Sequence, residues 1–566
     1  MTSSKVFSNT EFRYDENQKI LFYRNNKGEE YRLANFEVRI VRRYKLVGQK
    51  ESSDMVTLLL HGYKDTNMSI KLSELSVLMK KIEQQYPEYH LYFDSRRQYE
   101  LFKQYLMELY EHTADTLPVG TVYQNAGWNL TPNNTQYYYS GNDAVYCCSA
   151  FRLSNDVCFF PRDLINWELE LLNIGSDEVM IPLILHSHLG YTLKLFEMAG
   201  YKEQYIMILI GESGSKKTSL SRVMFSLFGE AMVNFTATDR AIELALMQRQ
   251  DSTLILDDLS AGKDKNLAGK FEKILRQLGD STGRKKSING GSELESVNTR
   301  CAVIVTAETD IDALSKSSKL RTLAINVGRH SLNESILKIY QQDEINAKVA
   351  NKYSMLERYM TFYVEYLKEN YQQIVNFLAN AKYADYGVKW NFARQGTIFK
   401  MLMSQAMILF DFWGRYIPTP PFMYERIYRA LQNVMQMNEY RVGEAEPYIM
   451  FLKAIADGII GEGIVASDKN SCERNARLGY FQTGNLILRP ESIYKYVCTY
   501  YYRQGKIFSE SLQAIINKLY EMNLLEVYEQ KDHKPKLLKQ ALINNVRQSV
   551  ICLKWYAVEN LLLQYT

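Results

Sequence analysis

A short loop near the middle of the 566-residue chain has residue types that hold phosphate groups. It follows the apolar residues 205–210 and contains, in order, Gly211, Glu212, Ser213, Gly214, Ser215, Lys216, Lys217, Thr218 and Ser219. After the loop, apolar residues recur at helical spacing as far as residue 228. Backbone N–H groups in such a loop, and at the start of such a helix, attract phosphate oxygens. The pattern G-x-x-x-x-G-K-[ST] predicts that Lys217 contacts the β- and γ-phosphates of ATP and that Thr218 binds Mg²⁺.

Lys216 departs from that pattern, because the pattern has a second glycine at this position. Glycine permits backbone conformations and close approaches that a lysine side chain makes harder. The imperfect match leaves an alternative open, in which the loop is a Ser/Gly turn before an ordinary helix.

Polar residues follow two later apolar runs. Asp257 and Asp258 come directly after residues 253–256, and Thr306 follows residues 302–305. A buried strand that ends in two carboxylates can hold Mg²⁺ through a water bound to Asp257 and polarise an attacking water through Asp258. We expect Thr306 to contact the γ-phosphate or that water. The alternatives are an Asp-Asp helix cap and an ordinary residue at a strand end.

Arg321 comes just before another apolar run, residues 323–327. An arginine there can serve as an arginine finger, which brings positive charge to the γ-phosphate bound by a neighbouring subunit. A plain strand-end arginine is the alternative.

Taken together, these motifs resemble the AAA+ superfamily. More narrowly, they resemble the helicase-like family carried by staphylococcal cassette chromosome elements, whose members are relatives of the minichromosome maintenance helicases. The residues that carry the resemblance lie at 126–128, 211–218, 235–238, 256–258, 306–308 and 320–321. It covers residues 120–330 and, loosely, 480–566. It implies a hexameric ring that moves on single-stranded or forked DNA while a mobile genetic element replicates, together with replication partners of that element.

The same resemblance assigns roles to two basic regions. In the family, a hairpin ahead of the strand that ends at Thr306 grips the DNA backbone, and Asn-Gly-Gly at 289–291 is a hairpin signal. Arg284, Lys285 and Lys286 are then its phosphate contacts, independent of DNA sequence. Arg394, in an Arg-Gln pair, matches a lid residue called sensor 2. A solvated basic loop and a charged helix start are the respective alternatives.

Around these motifs, the patterning predicts an α/β fold with a parallel AAA+ P-loop sheet as its core. The predicted regions are a β-rich N-terminal domain (1–115) with one amphipathic helix at 101–109, a β-rich connection (116–174), the ATPase core (175–330), a helical lid (331–470) and a C-terminal winged helix (480–566). In the last region we expect helices at 491–503 and 511–519, a strand at 524–527 and a basic wing at 530–536. The wing could contact DNA or protein.

Composition restricts the function further. With 46% hydrophobic and 23% charged residues, the chain is typical of a globular protein, and its net charge of +4 requires any DNA contact to be local. Seven scattered cysteines without a Cys-x-x-Cys pair indicate reduced thiols. No apolar run that we identify is long enough to cross a membrane. We therefore expect a cytoplasmic protein without a membrane partner.

Two conspicuous groups are predicted to be structural. His186 and His188 lie in an apolar helical run without a third metal ligand nearby, and Tyr137, Tyr138 and Tyr139 alternate in a β region. The functional prediction is an ATP-dependent DNA helicase. The alternatives are an ATP-dependent initiator or nucleoprotein remodeller, and an ATP-binding scaffold with weak hydrolysis.

Overall fold

A computed structural model describes most of the chain, which divides into two compact units, residues 1–155 and 156–566. The described residues are 11–48, 52–92, 96–114, 116–131, 133–140, 146, 147, 153, 160–229, 231–259, 265–279, 286, 287, 293, 294, 299–308, 314–475, 477–504, 508, 510–530, 533–543 and 546–565.

The first unit is mainly β, as predicted for residues 1–115. Its elements are β1 (Phe12–Asp15), β2 (Ile20–Arg24), β3 (Glu30–Ala34), β4 (Glu37–Val47), β5 (Ser52–His61), β6 (Asp65–Lys71), α1 (Leu78–Gln85), α2 (Arg96–Ala114), β7 (Val119–Tyr123), β8 (Gly127–Leu130), β9 (Gln136–Tyr139) and β10 (Tyr146–Cys147). One sheet has the order β1-β2-β3 and a second the order β10-β7-β4-β5-β6. The predicted amphipathic helix is α2, which buries Phe102 and Tyr105, whereas α1 was not predicted.

The tyrosine cluster on β9 packs inside this unit, as predicted. Tyr138 and Tyr139 are buried, and the Tyr139 ring stacks on Tyr123 with 4.1 Å between ring centroids. Strands β8 and β9 form an antiparallel hairpin. The β-rich prediction for 116–174 fails at its end, because Pro161 occupies the first turn of a helix, a position that proline favours.

The second unit begins with an α/β region. Its elements are α3 (Pro161–Glu170), α4 (Asp177–Met198), β11 (Ile206–Ile210), α5 (Lys217–Phe225), β12 (Met232–Asn234), α6 (Asp239–Gln248), β13 (Ser252–Leu259), α7 (Lys265–Gly279), β14 (Lys286–Ser287), β15 (Glu293–Leu294), β16 (Cys301–Ala307), α8 (Lys316–Lys319) and β17 (Thr322–Asn326). Five strands form a parallel sheet in the order β12-β13-β16-β11-β17. The predicted α/β class with a parallel sheet is confirmed.

The central strands of this sheet are buried on both faces. Alternate residues, such as Ile208 and Val303, share one hydrophobic cluster with Phe235 and Phe271 from the α6 and α7 side. The intervening residues point to the opposite face, and α4 and α5 contact the sheet. Because both faces are covered, the strands read as continuous apolar runs rather than alternating ones.

Helix α4 is the central helix of the unit. It contacts β13, β16 and β17 as well as helices α10, α11 and α12, which are defined below. It has the length and apolar composition of a membrane span, which was not predicted from the sequence, but 94% of its most apolar window is buried in protein. Gly190 sits where α4 meets the sheet, because a Cβ there would lie 2.5 Å from the Ser252 carbonyl oxygen.

The two histidines of α4 are structural, as predicted. His186 hydrogen-bonds Tyr205 and the Val303 carbonyl, and His188 hydrogen-bonds Tyr359 and the Ile184 carbonyl. Burial lowers the pKa of each to about 4, so both are neutral near pH 7.

A helical region follows the sheet, in agreement with the helical prediction for the residues after 330. It comprises α9 (Glu334–Val349), α10 (Met355–Ala381), α11 (Ala393–Gly414), α12 (Met423–Glu444) and α13 (Pro447–Asp457). Asn438 on α12 hydrogen-bonds both the N–H and the carbonyl of Ala324, so this region is joined directly to edge strand β17.

The C-terminal region is a second, smaller α/β assembly. It contains β18 (Val465–Ala466), α14 (Lys469–Arg474), β19 (Gly479–Gln482), β20 (Asn485–Leu488), α15 (Pro490–Arg503), α16 (Leu512–Glu521), β21 (Tyr528–Gln530), β22 (His533–Lys536), β23 (Lys539–Ile543), β24 (Val546–Lys554) and α17 (Trp555–Leu562). The two predicted helices are present. No strand covers 524–527, where Leu525 makes only an isolated bridge to Leu553.

Candidate nucleotide site

The predicted phosphate loop joins β11 to α5 at the carboxyl end of the sheet. Gly211 starts the loop in a position that only glycine fits, because a Cβ there would lie 2.2 Å from the Val327 carbonyl oxygen and 2.8 Å from Ser215 Oγ. Its N–H donates to the Ala307 carbonyl at 3.1 Å. The ends of β16 and β17 therefore fix where the loop begins. Carboxyl ends of parallel strands are where ligands bind in open α/β sheets.

The rest of the loop turns outward and delivers the chain to α5. Glu212, Ser213 and Gly214 are exposed, whereas Ser215 is buried. Gly214 has φ +86°, and an added Cβ would meet nothing within 4 Å. Ser219 lies in the first turn of α5, whose first N–H groups have no side-chain cap. Uncapped N–H groups at a helix start are suited to bind an anion.

Lys216 occupies the glycine position by adopting the conformation that glycine favours. Its φ and ψ are +64° and +19°, in the left-handed region, which costs a non-glycine residue roughly 1 kcal/mol. Its side chain is 45% exposed, and Nζ lies 3.8 Å from Glu334 Oε2 in the first turn of α9. Lys216 therefore preserves the loop backbone, and its ammonium group is directed to the helical region.

Lys217 lies inside the loop. Its Nζ donates to the carbonyls of Gly211 at 2.7 Å and Glu212 at 2.9 Å, and to Ser215 Oγ at 3.2 Å. Burial lowers the pKa of Lys217, although the nearby carboxylates of Glu308, Asp257 and Asp258 act in the opposite direction. The ammonium group is thus held at the mouth of the loop, within an acidic surrounding, by acceptors that a phosphate could replace.

A chain of hydrogen bonds joins the loop to the two neighbouring strands. Thr218 Oγ1 donates to Asp257 Oδ1 at 2.9 Å, and Thr306 Oγ1 donates to the same oxygen at 2.6 Å. The Asp258 N–H donates to Thr306 Oγ1 at 3.0 Å. The structure therefore brings together four residues from three segments that are far apart in sequence. Thr306 is buried, and its hydroxyl acts as both donor and acceptor in holding the aspartates.

A β-bulge separates the roles of the two aspartates. The register of β13 against β16 shifts between Leu256 and Leu259, and Asp258 has φ +66°. A bulge bends a strand and redirects its side chains. Asp257 stays in the ladder with β12 and faces Thr218, whereas Asp258 is exposed at the end of the sheet.

The oxygen atoms of Thr218 and Asp257 are suitable ligands for the predicted Mg²⁺. A threonine hydroxyl and a carboxylate oxygen, already 2.9 Å apart, are the hard oxygen ligands that Mg²⁺ prefers. Thr218 and Asp257 would hold the ion, and water and phosphate oxygens would complete its coordination.

Arg321 and Arg394 lie at the opposite end of the sheet. The Arg321 carbonyl accepts from the N–H of Ile206, the first residue of β11, and its guanidinium donates to the Ser317 carbonyl at 3.1 Å. Arg394 Nε lies 3.9 Å from Glu203 Oε2, ahead of β11. Strand β11 separates these two arginines from the phosphate loop of their own chain. It has five residues, and at about 3.3 Å for each residue the separation is about 16 Å. The structure therefore does not bring them to the nucleotide site.

A hairpin is present where the sequence predicts one, as the antiparallel pair β14–β15, which pairs Lys286 with Leu294 and Ser287 with Glu293. Arg284 and Lys285 lie outside the described residues. The hairpin belongs to the connection from α7 to β16, so the chain enters β16 from it at the amino end of the sheet.

Two acidic residues of the site had no individual role assigned from the sequence, although Glu308 belongs to the 306–308 motif. Glu308 follows β16 and acts electrostatically on Lys217, and Glu334 pairs with Lys216. The position of Glu308 directly after a buried strand was a usable signal. Glu334 had none, because its proximity to the loop depends on the packing of α5 against α9.

Comparisons with known proteins support this architecture. Residues 22–297 match a family model described as a domain of unknown function, DUF927. No curated protein sequence matches the chain. The solved structure described as "SCCmec type IV Cch - active helicase" aligns over 97% of this chain and 99% of its own, with 13% identity and a TM-score of 0.61.

Other structures align more loosely. The A-form apo structure of the NrS-1 C-terminal region covers 88% of this chain and 93% of its own, with 13% identity and a TM-score of 0.32. The JCV helicase covers 48% and 72%, with 10% identity and a TM-score of 0.20. The resemblance to the cassette-chromosome helicases is confirmed in the fold: this chain has the architecture of the SCCmec type IV Cch helicase over nearly the full length of both proteins.

Proposed function

We propose that the chain is an ATP-dependent DNA helicase or translocase, which works as a homo-hexameric ring on single-stranded or forked DNA. Its setting is the cytoplasmic replication of a mobile genetic element, together with that element's replication proteins. The observation that carries the proposal is the set of hydrogen bonds around Asp257, where Thr218 of the loop and Thr306 of a neighbouring strand converge on one carboxylate oxygen.

In the bound state, ATP with Mg²⁺ supplies the γ-phosphate that is transferred to water. Lys217 exchanges its loop carbonyls for the β- and γ-phosphates, and the N–H groups from Gly211 to Ser219 surround the phosphate chain. Thr218 and Asp257 hold the metal ion. Asp258, exposed beside them, accepts a proton from the attacking water, and Thr306 fixes both aspartates.

We infer a ring of subunits from the positions of two arginines. Arg321 is too far from its own loop to stabilise the transition state there, so we assign it to the nucleotide of a neighbouring subunit. Arg394 is assigned to the same interface as sensor 2. DNA contacts come from Arg284, Lys285 and Lys286 at the hairpin. Residues 331–470 are proposed as the lid and 480–566 as the winged helix, with β21–β22 as its wing.

The test is steady-state ATP hydrolysis with and without single-stranded DNA, followed by strand displacement on a long fork. The proposal expects hydrolysis that DNA stimulates, unwinding of the fork, and loss of both activities in Lys217→Ala. Stimulated hydrolysis without displacement would instead indicate an initiator or remodeller. ATP binding without hydrolysis would indicate a scaffold.

A further inference from the structure

A cleft at the amino end of the parallel sheet has no role in the function described so far. It lies between the residues that follow α4 and the connection from α10 to α11, and its volume is about 700 Å³. Small-ligand sites are typically of this size. Because residues 200–203 line it ahead of β11, it lies at the end of the sheet opposite the phosphate loop.

The walls of the cleft are aromatic and partly exposed. Trp390 packs on Phe399 at 5.1 Å between ring centroids, and a Cβ on Gly396 would lie 2.9 Å from the indole. Gly396 therefore makes the room that holds the Trp390 ring in place. Tyr386 packs edge-on against Phe399, and Tyr383 at the rim is 81% exposed.

Three lysines line the same cleft, together with Asp385 and with Glu203, which lies 3.9 Å from Arg394. Lys382 Nζ donates to the Gly200 carbonyl at 2.6 Å and lies 5.8 Å from the centre of the Tyr201 ring. Lys400 Nζ donates to the Lys382 carbonyl at 3.2 Å, and Lys202 lines the entrance. Among the described residues, Lys382 and Lys400 form no ion pair, so each ammonium group keeps N–H donors for an anion.

The floor of the cleft has an additional polar group. Tyr201 lines it and is 5% exposed, and its hydroxyl lies against the buried Ser404 hydroxyl. Neither hydroxyl is open to the cleft, so a ligand there would contact the aromatic and basic walls.

We propose that this cleft binds a short stretch of single-stranded nucleic acid. A base stacks on Tyr383 or Trp390, and the phosphates lie against Lys202, Lys382 and Lys400. Aromatic faces beside a basic groove are how proteins hold single strands without reading sequence. The choice of DNA as the strand rests on the proposed function, whereas the cleft itself does not.

The first experiment measures the binding of a fluorescein-labelled 20-nucleotide oligothymidylate to the full chain by anisotropy, without ATP, over a range of salt. Tyr383→Ala should weaken binding about tenfold, because the variant has no ring at the rim on which a base can stack. Lys202→Gln with Lys400→Gln should reduce the salt slope by about 1.4, which is about 0.7 for each phosphate contact. Tyr383 is exposed, so its replacement leaves the core intact.

Matched controls use similar side chains elsewhere. Tyr502→Ala removes a tyrosine that is 72% exposed, and Lys338→Gln with Lys352→Gln removes two exposed lysines. The proposal is supported if the control variants bind the oligothymidylate with wild-type affinity while the cleft variants bind it more weakly. Unchanged affinity and salt slope in both cleft variants would overturn it.

A second measurement distinguishes a site for single-stranded nucleic acid from a site for free nucleotides. If Tyr383→Ala loses affinity for 2-aminopurine deoxyriboside monophosphate but keeps it for the oligothymidylate, the cleft is a free-nucleotide site and the single-strand assignment is wrong. Hydrolysis of ATP without DNA should not change in either cleft variant. A chain that binds DNA through the cleft but hydrolyses no ATP would reject the helicase proposal and leave this one standing.

Discussion

The two ends of the parallel sheet carry charge in different ways. At the carboxyl end, Lys217, Thr218, Asp257 and Thr306 hydrogen-bond one another or their own loop. At the amino end lie Arg321, Arg394 and the lysines of the cleft, about 16 Å from those carboxylates. The polar groups of the carboxyl end are therefore connected to one another within one chain. The amino end has an open cleft with charged side chains of both signs in its walls.

Replacing Lys217 with alanine is the strongest test of the carboxyl end. We expect no measurable ATP turnover, because the variant loses the point charge on the β- and γ-phosphates. Asp257→Ala should have the same result through loss of Mg²⁺. A phosphate-release assay measures both variants, with the cleft variant Tyr383→Ala as the control. Wild-type turnover in Lys217→Ala would reject the phosphate loop.

Arg321→Ala tests whether the amino end serves a neighbour. We expect turnover to fall by about 10³- to 10⁵-fold, the usual contribution of an arginine finger. Mixed with Lys217→Ala protein, it should regain measurable hydrolysis, because some interfaces then combine an intact loop with an intact finger.

The mixture of Arg321→Ala and Lys217→Ala proteins shows whether Arg321 acts on its own subunit's site or on a neighbour's. If Arg321 served its own site, every subunit of a mixed ring would carry a dead site. No recovery in rings shown by mass spectrometry to be mixed would therefore contradict the assignment to the neighbouring subunit.

Sequence alone predicted the carboxyl end better than the amino end. The loop, the strands and the aspartates are each encoded in a few consecutive residues, so local patterns suffice. The Asp258 bulge, the pairing of Lys216 with Glu334, and the cleft depend on contacts between segments far apart in the chain. The same holds for α4, whose apolar length would fit a membrane and whose burial only packing reveals.

One cation at the amino end is fixed within the chain, and its removal should affect stability rather than catalysis. Arg300 donates to both oxygens of buried Asp251, at 2.7 and 3.0 Å, and to Glu197 at 3.2 Å. Arg300→Met removes the guanidinium that neutralises the buried Asp251 carboxylate, so the free energy of unfolding should fall by about 3–5 kcal/mol. Urea denaturation followed by circular dichroism measures it.

The matched variant is Arg300→Met with Asp251→Asn, which removes both charges and should recover most of the loss. A single variant as stable as the wild-type chain would show that the pair contributes nothing.

The hairpin prediction concerns DNA. Lys285→Ala with Lys286→Ala should weaken binding of single-stranded DNA whatever its sequence, and reduce the salt slope by about 0.7 for each phosphate that is no longer neutralised. Fluorescence anisotropy at several salt concentrations measures both quantities. If they stay unchanged while hydrolysis persists, the loop is only a solvated surface.

The smallest effect is expected at Lys216. Lys216→Gly should keep or slightly improve ATP affinity, because glycine adopts the left-handed conformation without strain and the exposed pair with Glu334 is worth at most about 1 kcal/mol. Titration with a fluorescent ATP analogue measures it, with Glu334→Gln as the control. A tenfold loss in Lys216→Gly alone would mean that Lys216 itself binds phosphate.

The close packing of α4 against the sheet at Gly190 restricts how the helix can move. A helix enclosed by a sheet on one side and three helices on the other cannot slide without opening voids that a close-packed interior does not tolerate. The sheet and the helical region therefore form one packed body. A side chain at Gly190 would push α4 away from the Ser252 carbonyl and loosen that body at a position far from the phosphate loop.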